Sequence, residues 1–596
     1  MTATSPQTRA VPPAPTRTWW VFGSLQGYRR AWLRGDLIAG LTVWAVLVPE
    51  ALAYAGIAGV SPVVGLYAAV PSLILYAAFG SSRHLVVGPM SATAALSASV
   101  VGAFARGDDA LFVVLTTALA LVTGVLCVVA GVVRLGFLAS FISEPVLKGF
   151  IIGLALTIII GQVPAGLGVD KGDGNFFEKL WHILTELGDI QWVTAALGAG
   201  SLVVVLLLRR VVPKLPGSLV VVILGILAVK VFHLDDHGVD IVGHIDAGLP
   251  ALGLPDATWT QFTDLIGPCI GVMLVGFAEA LGAAKTYAAR EGYDIDPNRE
   301  LIGMGAANLG SGLASGMVVN GSLSKTAVNG GAGAKSQVSG LTSAVLTLLT
   351  LLFLTPLFES LPEAVLAAVV IAAVIELVDV AALRRLWGLA TPSVRALYGT
   401  AARDDFLAAL AAALGVLVFD TLPGLVIGIV LSLLLLLVRA SHARVAVLVL
   451  DDVGAWVDSQ RAASLGRAVR PVDGVLVVRP ESGLFFANAD RIRGEVRGLA
   501  AKQHPRLVVV DAATVPFVDV DAAEMLSTLQ TDLARTGARL AVARDVGPVR
   551  DELRAALDAH DQPPVYRGIR EAIDALAPGA TSSDASRVDG SAGSVG

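Results

Sequence analysis

Apolar residues run in long blocks along the first three quarters of the chain, with polar positions gathered between the blocks. A membrane-crossing helix needs about 20 mostly apolar residues. Blocks of this kind occupy 37–57, 62–79, 110–133, 146–163, 192–208, 217–233, 263–284, 300–316, 337–355, 361–378, 404–419 and 422–438. Two shorter apolar stretches, 85–104 and 321–334, open with Gly and Pro or with Gly and Ser, and bring the expected count to fourteen. Near Arg439 the pattern changes. Charged residues become frequent, and strand-like runs such as Gly474–Arg479 alternate with helical ones. The pattern predicts a polytopic α-helical membrane domain followed by a soluble α/β domain.

Composition points the same way. The 596 residues are 55% hydrophobic and only 15% charged, with a mean hydropathy of +0.72; soluble domains run near about 25% charged. This excludes a secreted enzyme and a disordered scaffold. A net charge of −6 offers no basic face to a phosphate backbone, so no nucleic-acid partner is expected. Cys127 and Cys269 lie in separate apolar runs and read as small buried hydrophobes, not as a disulfide framework or a metal site. Residues 1–18 lack the apolar core of a signal peptide, and residues 578–596, rich in Gly, Ser, Ala and Asp, read as a disordered tail.

Lys and Arg gather on the cytoplasmic side of short loops. Arg29, Arg30 and Arg34 precede the first block and place the N-terminus inside. With fourteen crossings the inside connections carry Arg83, Arg134, Arg209, Arg210, Lys214, Lys285, Arg290, Arg299, Lys335, Arg384, Arg385, Arg395, Arg403 and Arg439. The outside connections carry mainly Arg106, Lys171 and Lys179, and Leu234–Phe262 has only acidic charge, including Asp235, Asp236, Asp240, Asp246 and Asp256. Omitting either short stretch inverts everything downstream. Both termini, and the soluble domain, are therefore expected in the cytoplasm of a multi-pass cell-membrane protein.

The two halves echo each other. Glu50 sits in an apolar run and is followed by Val87-Gly88-Pro89-Met90-Ser91; Glu279 sits in another and is followed by Asn320-Gly321-Ser322-Leu323-Ser324-Lys325. Matched Gly/Pro-interrupted segments in two halves point to a transporter's central site. Irregular backbone at membrane depth persists only where it lines a cavity, and a helix beginning there aims free N–H groups and partial positive charge at that cavity. Two such ends facing each other bind an anion. Plainer readings exist: Gly88-Pro89 as a kink in one helix, Gly303–Gly312 as close helix packing, and Glu376 and Lys335 as side chains snorkelling at span ends. Glu50 and Glu279 lie deeper, where a carboxylate is costly and a functional role is the default.

These residues resemble the SulP anion transporters. Gly40-Leu-Thr-Val-Trp-Ala-Val-Leu-Val-Pro49-Glu50-Ala-Leu-Ala-Tyr54-Ala, Gly65-Leu-Tyr67-Ala, Gly80-Ser-Ser-Arg83 and Val87-Gly88-Pro89 are similar to the family's first-half signatures. Gly276-Phe-Ala-Glu279, Gly292-Tyr-Asp-Ile-Asp296-Pro-Asn298-Arg-Glu300-Leu and Ser322-Leu-Ser324-Lys325-Thr326-Ala-Val-Asn329 are similar to those of its second half. The resemblance spans roughly 30–575 and implies a seven-plus-seven inverted repeat, with a core domain rocking against a gate domain, and a homodimer. Leu507-Val-Val-Val-Asp511-Ala-Ala-Thr514-Val-Pro-Phe-Val518-Asp519, with a helix from Ala522, resembles a STAS domain. Three departures stand out. Asp521 replaces the serine phosphorylated in anti-sigma antagonist relatives, Glu50 stands where members often carry Gln, and Lys325 stands where many carry Arg. Lysine keeps the charge but loses the planar fork.

The expected organisation is a cytoplasmic tail over 1–30, an anion-transport domain over 31–440, a STAS domain over 445–577 and a tail over 578–596. Tyr54, Gly88, Met90, Ser91, Ser322, Leu323, Ser324 and Lys325 are the expected substrate-binding residues, and Glu50 and Glu279 the proton-coupling ones. The expected activity is secondary transport of sulfate with a proton, with bicarbonate or a dicarboxylate as the alternative anion. Ala280, Leu281, Gly282, Ala283 and Ala284 offer no hydroxyl after Glu279, which weighs against sodium. An anion channel is a rival that the buried carboxylates disfavour. A fused zinc enzyme is rejected, because the soluble domain has no Cys and few His. A last reading makes the STAS domain the main module, with a cytoplasmic partner. Membrane lipid is a partner in every reading; no cofactor and no metal are expected.

Overall fold

The structure is a computed structural model and describes residues 21–137, 143–172, 174–212, 215–244, 248–378, 381, 384–385, 401–545, 547–558 and 562–578. Residues 1–20, the tail from 579, Lys214, Asp246 and Arg395, and the side chains of Glu376 and Arg403, lie outside the described residues.

Each apolar block becomes a helix. In chain order these are α1 Leu33–Ile57, α2 Pro62–Phe79, α3 Ser91–Ala105, α4 Asp109–Val132, α5 Glu144–Leu167, the amphipathic α6 Phe176–Thr185, α7 Trp192–Val211 and α8 Gly217–Phe232. They continue as α9 Trp259–Glu291, α10 Pro297–Leu313, α11 Leu323–Gly331, α12 Val338–Leu349, α13 Thr355–Phe358, α14 Glu363–Val374, α15 Ala401–Phe419 and α16 Thr421–Ser441. Among the described residues, eight helices are long and apolar enough to cross a membrane, and four more are apolar but shorter. α9 runs well past the block at 263–284 because its ends are capped. Thr258 Oγ1 accepts from Gln261 N at 3.3 Å, Gln261 Oε1 accepts from Thr258 N at 2.7 Å, and Gly292 at φ 72° turns the chain out.

Two groups of helices emerge from the packing. α10 packs on α4 and α2, and α1 on α12 and α2; separately, α5 packs on α15 and α14, and α14 on α7. Glycines set the closest approaches. A Cβ on Gly305 would lie 2.8 Å from Gly124 O, and one on Gly303 would lie 2.7 Å from Gly80 Cα, so α10 meets α4 and the end of α2 backbone to backbone. Two three-residue strands interrupt this bundle: β1 Val86–Gly88 before α3, and β2 Asn320–Ser322 before α11. They pair antiparallel, Val86 with Ser322 and Gly88 with Asn320. The two segments that open with glycine are therefore one small antiparallel sheet, each strand followed by a half-length helix.

The chain divides into two compact units between Leu433 and Leu434, inside α16. The second unit is a sheet of β3 Val445–Asp451, β4 Trp456–Asp458, β5 Val469–Arg470, β6 Val475–Pro480, β7 Leu507–Asp511, β8 Arg539–Ala543 and β9 Val565–Tyr566. β6 to β9 are parallel, and β3 runs antiparallel to β6. Period-two alternation gives it two cores. Val508 and Val510 face the helices Ala489–Gln503 and Val520–Arg535, while Leu507 and Val509 face Ile569–Leu576. The helix expected from Ala522 starts at Val520, because Asp519 Oδ1 caps it by accepting from Ala522 N at 2.9 Å. At the end of β7, Asp511 is fully buried and gripped by Arg544 and, at 2.7 Å, by Arg479 Nε. Burial works to raise its carboxyl, but the two guanidinium groups prevail and hold it below the usual carboxylate range.

Candidate functional site

The site is built where the two half-helices begin. Pro89 follows β1 and Met90 stays extended at φ −138°, so α3 starts only at Ser91. Across the small sheet, Ser322 caps α11: its Oγ accepts from Lys325 N at 3.2 Å and lies 3.2 Å from Ser324 Oγ. Glycine is required at the crossing, since a Cβ on Gly321 would sit 2.8 Å from Ala280 Cβ and 2.9 Å from a Leu85 methyl. Thr326 Oγ1 accepts from Val86 N at 3.1 Å and Asn329 Nδ2 donates to His84 O at 2.9 Å, tying α11 to the chain that leads into β1.

Lys325 is the centre of the arrangement. Its side chain is 2% exposed, and Nζ lies 2.8 Å from Glu50 Oε2, donates to Pro89 O at 3.2 Å and stands 5.0 Å from the centre of the Tyr54 ring. Glu50 and Tyr54 are one turn apart on α1 and so present one face to the lysine. One cation thus joins α1, the start of α3 and α11. Glu279, on α9, has a different partner: its Oε2 accepts from Asn320 Nδ2 at 3.2 Å, and Asn320 Oδ1 is buried without a partner among the described residues. The two carboxylates are therefore unlike: one meets a cation, the other a neutral amide.

Of the expected binding residues, Gly88, Ser91 and Ser322 are buried in the junction and Met90 is half-buried beside them. Ser324 is exposed to a cavity of about 350 Å³ that Glu50, Thr42, Val46 and Arg209 also line. Leu323 contributes its first-turn backbone, while its side chain is 55% exposed. Three participants were not singled out from the sequence. Arg209 counted only as a loop charge, yet it lines the cavity and its Nη1 donates to Ala372 O at 2.5 Å. Asn320 and Pro89 were quoted only within motifs; the signal for Asn320 was an amide directly before the Gly-Ser that opens a half-helix.

The frame around the junction is held by buried carboxylates. Glu300 accepts from Tyr76 Oη at 2.6 Å, Ser81 N at 2.8 Å, Ser81 Oγ at 2.6 Å and Ser82 N at 2.9 Å. Asp36 accepts from Lys335 N at 2.6 Å and Ser336 Oγ at 2.7 Å. Lys335 itself reaches Glu291 at 2.8 Å.

Paired half-helices with a buried cation at their meeting point, set in a bundle of apolar helices, define a membrane-embedded anion transporter. The chain belongs to the sulfate permease family: residues 33–399 match the Sulfate permease family and residues 467–572 the STAS domain. A protein of Mycobacterium tuberculosis named "Probable sulfate transporter" is 34% identical over 578 residues, covering 95% of this chain and 99% of that protein. Sulfate transporter 1.3 of Arabidopsis thaliana is 29% identical over 595 residues, covering 92% and 86%. Among solved structures, the murine Solute Carrier 26 family member A9 anion transporter in the inward-facing state shares the fold with a TM-score of 0.81 at 21% identity, over 95% of this chain and 96% of that one. The transmembrane domain of the cyanobacterial bicarbonate transporter BicA gives 0.56 at 24% identity, over 65% and 98%.

Proposed function

We propose that this protein carries sulfate across the cell membrane together with a proton, through fourteen segments arranged as two inverted sets of seven, with both termini in the cytoplasm. The observation that carries the reading is Lys325, shared between the starts of both half-helices and held by Glu50. The relatives named as sulfate transporters support sulfate as the anion. Each half-helix start contributes about +0.5 of charge. Glu50 offsets Lys325, so the helix ends and their free N–H groups receive the anion, with Tyr54, Gly88, Met90, Ser91, Ser322, Leu323, Ser324 and Lys325 around it. Ionised Glu279 would cancel much of that attraction, since among the described residues its hydrogen-bond partner is a neutral amide; a proton on Glu279 restores it. Anion and proton then favour each other's binding, as linkage requires. Glu50, already paired, serves coupling by keeping Lys325 in place.

In this reading α5, α7, α8, α14 and α15 form the gate, the remaining helices from α1 to α12 form the core, and the STAS domain regulates. Deleting residues 445–596 is expected to leave anion binding intact while changing rate or assembly.

The test is sulfate counterflow into proteoliposomes with an imposed pH gradient. Acid outside should accelerate uptake, and adding sulfate should alkalinise the medium. Counterflow with no pH dependence would remove the proton from the cycle. Bicarbonate or fumarate outcompeting sulfate would reassign the anion.

A further inference from the structure

A second cavity, of about 290 Å³, lies beyond the Lys325 junction. α1 shows the separation: Thr42, Val46 and Glu50 line the first cavity, and Gly56 and Ile57 line the second. At 1.5 Å per residue, Glu50 and Gly56 are about 9 Å apart along the axis. Ser99, roughly two turns beyond the start of α3, and Gln162 of α5 face the same space. Its charges come from Lys171, Lys179 of α6 and Asp420. Neither lysine pairs with a carboxylate among the described residues. Asp420 is the one-residue joint between α15 and α16, held at φ 74° with its Oδ1 accepting from Thr421 N at 2.7 Å. Its Oδ2 accepts from Ser99 Oγ at 3.0 Å, a bond that ties α3 in one helix group to the joint in the other.

We propose that this second cavity is an anion antechamber, in which Lys171 and Lys179 gather a small oxyanion and the Ser99–Asp420 hydrogen bond closes the passage to Lys325. The proposal rests on the anion-transport reading above. Two ammonium groups lining one cavity, unpaired among the described residues, raise the local concentration of a dianion, an effect that salt screens. The same dianion repels the Asp420 carboxylate. A single exposed hydrogen bond yields to that repulsion, so arrival of the anion frees α3 from the α15–α16 joint. The face that collects the anion is then opened by the anion itself.

The experiment measures sulfate exchange from each face of oriented proteoliposomes at low and high salt, for wild type, the double variant Lys171→Gln/Lys179→Gln, and Asp420→Asn. The double variant should raise KM on the lysine-bearing face on the order of tenfold at low salt, lose the salt dependence there, and keep the wild-type KM on the other face. That unchanged KM also shows an intact fold. Asp420→Asn, whose amide oxygen can still accept from Ser99 Oγ but is not repelled by the anion, should slow exchange. An unchanged KM on both faces, or an equal rise on both, overturns the antechamber; an unchanged or faster rate in Asp420→Asn overturns the latch. Wild-type protein that exchanges no sulfate overturns the transport reading and the antechamber with it.

Discussion

Lys325 Nζ and Glu50 Oε2, from opposite halves of the membrane domain, meet at 2.8 Å with both side chains almost wholly buried. The charge at the centre of the protein is thus a pair. Removing one partner strands the other in a medium that solvates it poorly, at a cost of about 3–5 kcal/mol.

Lys325→Ala is therefore expected to lower the melting temperature sharply as well as to abolish sulfate binding. Glu50→Gln combined with Lys325→Met should recover most of the thermal stability, because no charge is left stranded, while binding stays lost. Thermal unfolding in detergent and calorimetric titration with sulfate separate the two effects. A double variant as unstable as Lys325→Ala alone would show that the pair does not hold the junction.

For Glu279→Gln the expected phenotype is different. The amide can still meet Asn320, so binding of sulfate should persist within about threefold, or ~0.7 kcal/mol, which is within the about 0.5–1.5 kcal/mol of one ordinary neutral hydrogen bond. Uptake that in wild type rises as external pH falls should become flat, and accumulation against a gradient should disappear. Retained acid stimulation in this variant would place the coupling proton elsewhere.

Packing is coupled to the site through Gly65. A Cβ there would lie 1.9 Å from the carbonyl oxygen of Ala51, the residue after Glu50. Gly65→Ala must push α1 from α2 and draw Glu50 off Lys325, an overpacking cost of about 1–3 kcal/mol. Gly102, with open space around it, is the control. Gly65→Ala should lose both stability and transport, whereas Gly102→Ala keeps both. Equal behaviour of the two would contradict the close approach.

In the second unit, the depressed carboxyl of Asp511 gives stability that is present above its unfolded value near about 3.9 and is lost as pH falls through the lower folded value. Urea unfolding of residues 434–578 should show that loss as pH falls below about 4. Asp511→Asn should cost about 1.5–3 kcal/mol at pH 7 by unpairing Arg479 and Arg544, and should remove that acid-dependent component. An unaltered acid dependence in the variant would assign it to another carboxylate.

The helices were legible because apolar length alone selects them, and both half-helices were legible because Gly88-Pro89 and Gly321-Ser322 disfavour a continuous turn at matched places in the two halves. The partners of the charged groups were not. Glu50, Glu279 and Lys325 could be read from sequence as separate charges around one cavity, but which carboxylate meets the cation depends on how α1 and α11 face each other. Neither block encodes that orientation locally. Arg209 was hidden for a related reason: a residue at a helix end looks like any positive-inside charge until the neighbouring helix shows that it borders a cavity. Asp519 was more readable, and the helix after it was misplaced by only a turn fraction because capping is local.

The pairing of β1 with β2 also orders the life of the chain. Val86 emerges from the ribosome more than two hundred residues before Ser322, its partner. Until then a stretch of extended backbone at membrane depth has no sheet to join, and unpaired backbone groups in hydrocarbon cost several kcal/mol each. The first half of the protein can insert, but it cannot settle. The sheet can close only once Ser322 has been made, and any chain stopped short of Asn320 carries an open strand as the sign that it is unfinished.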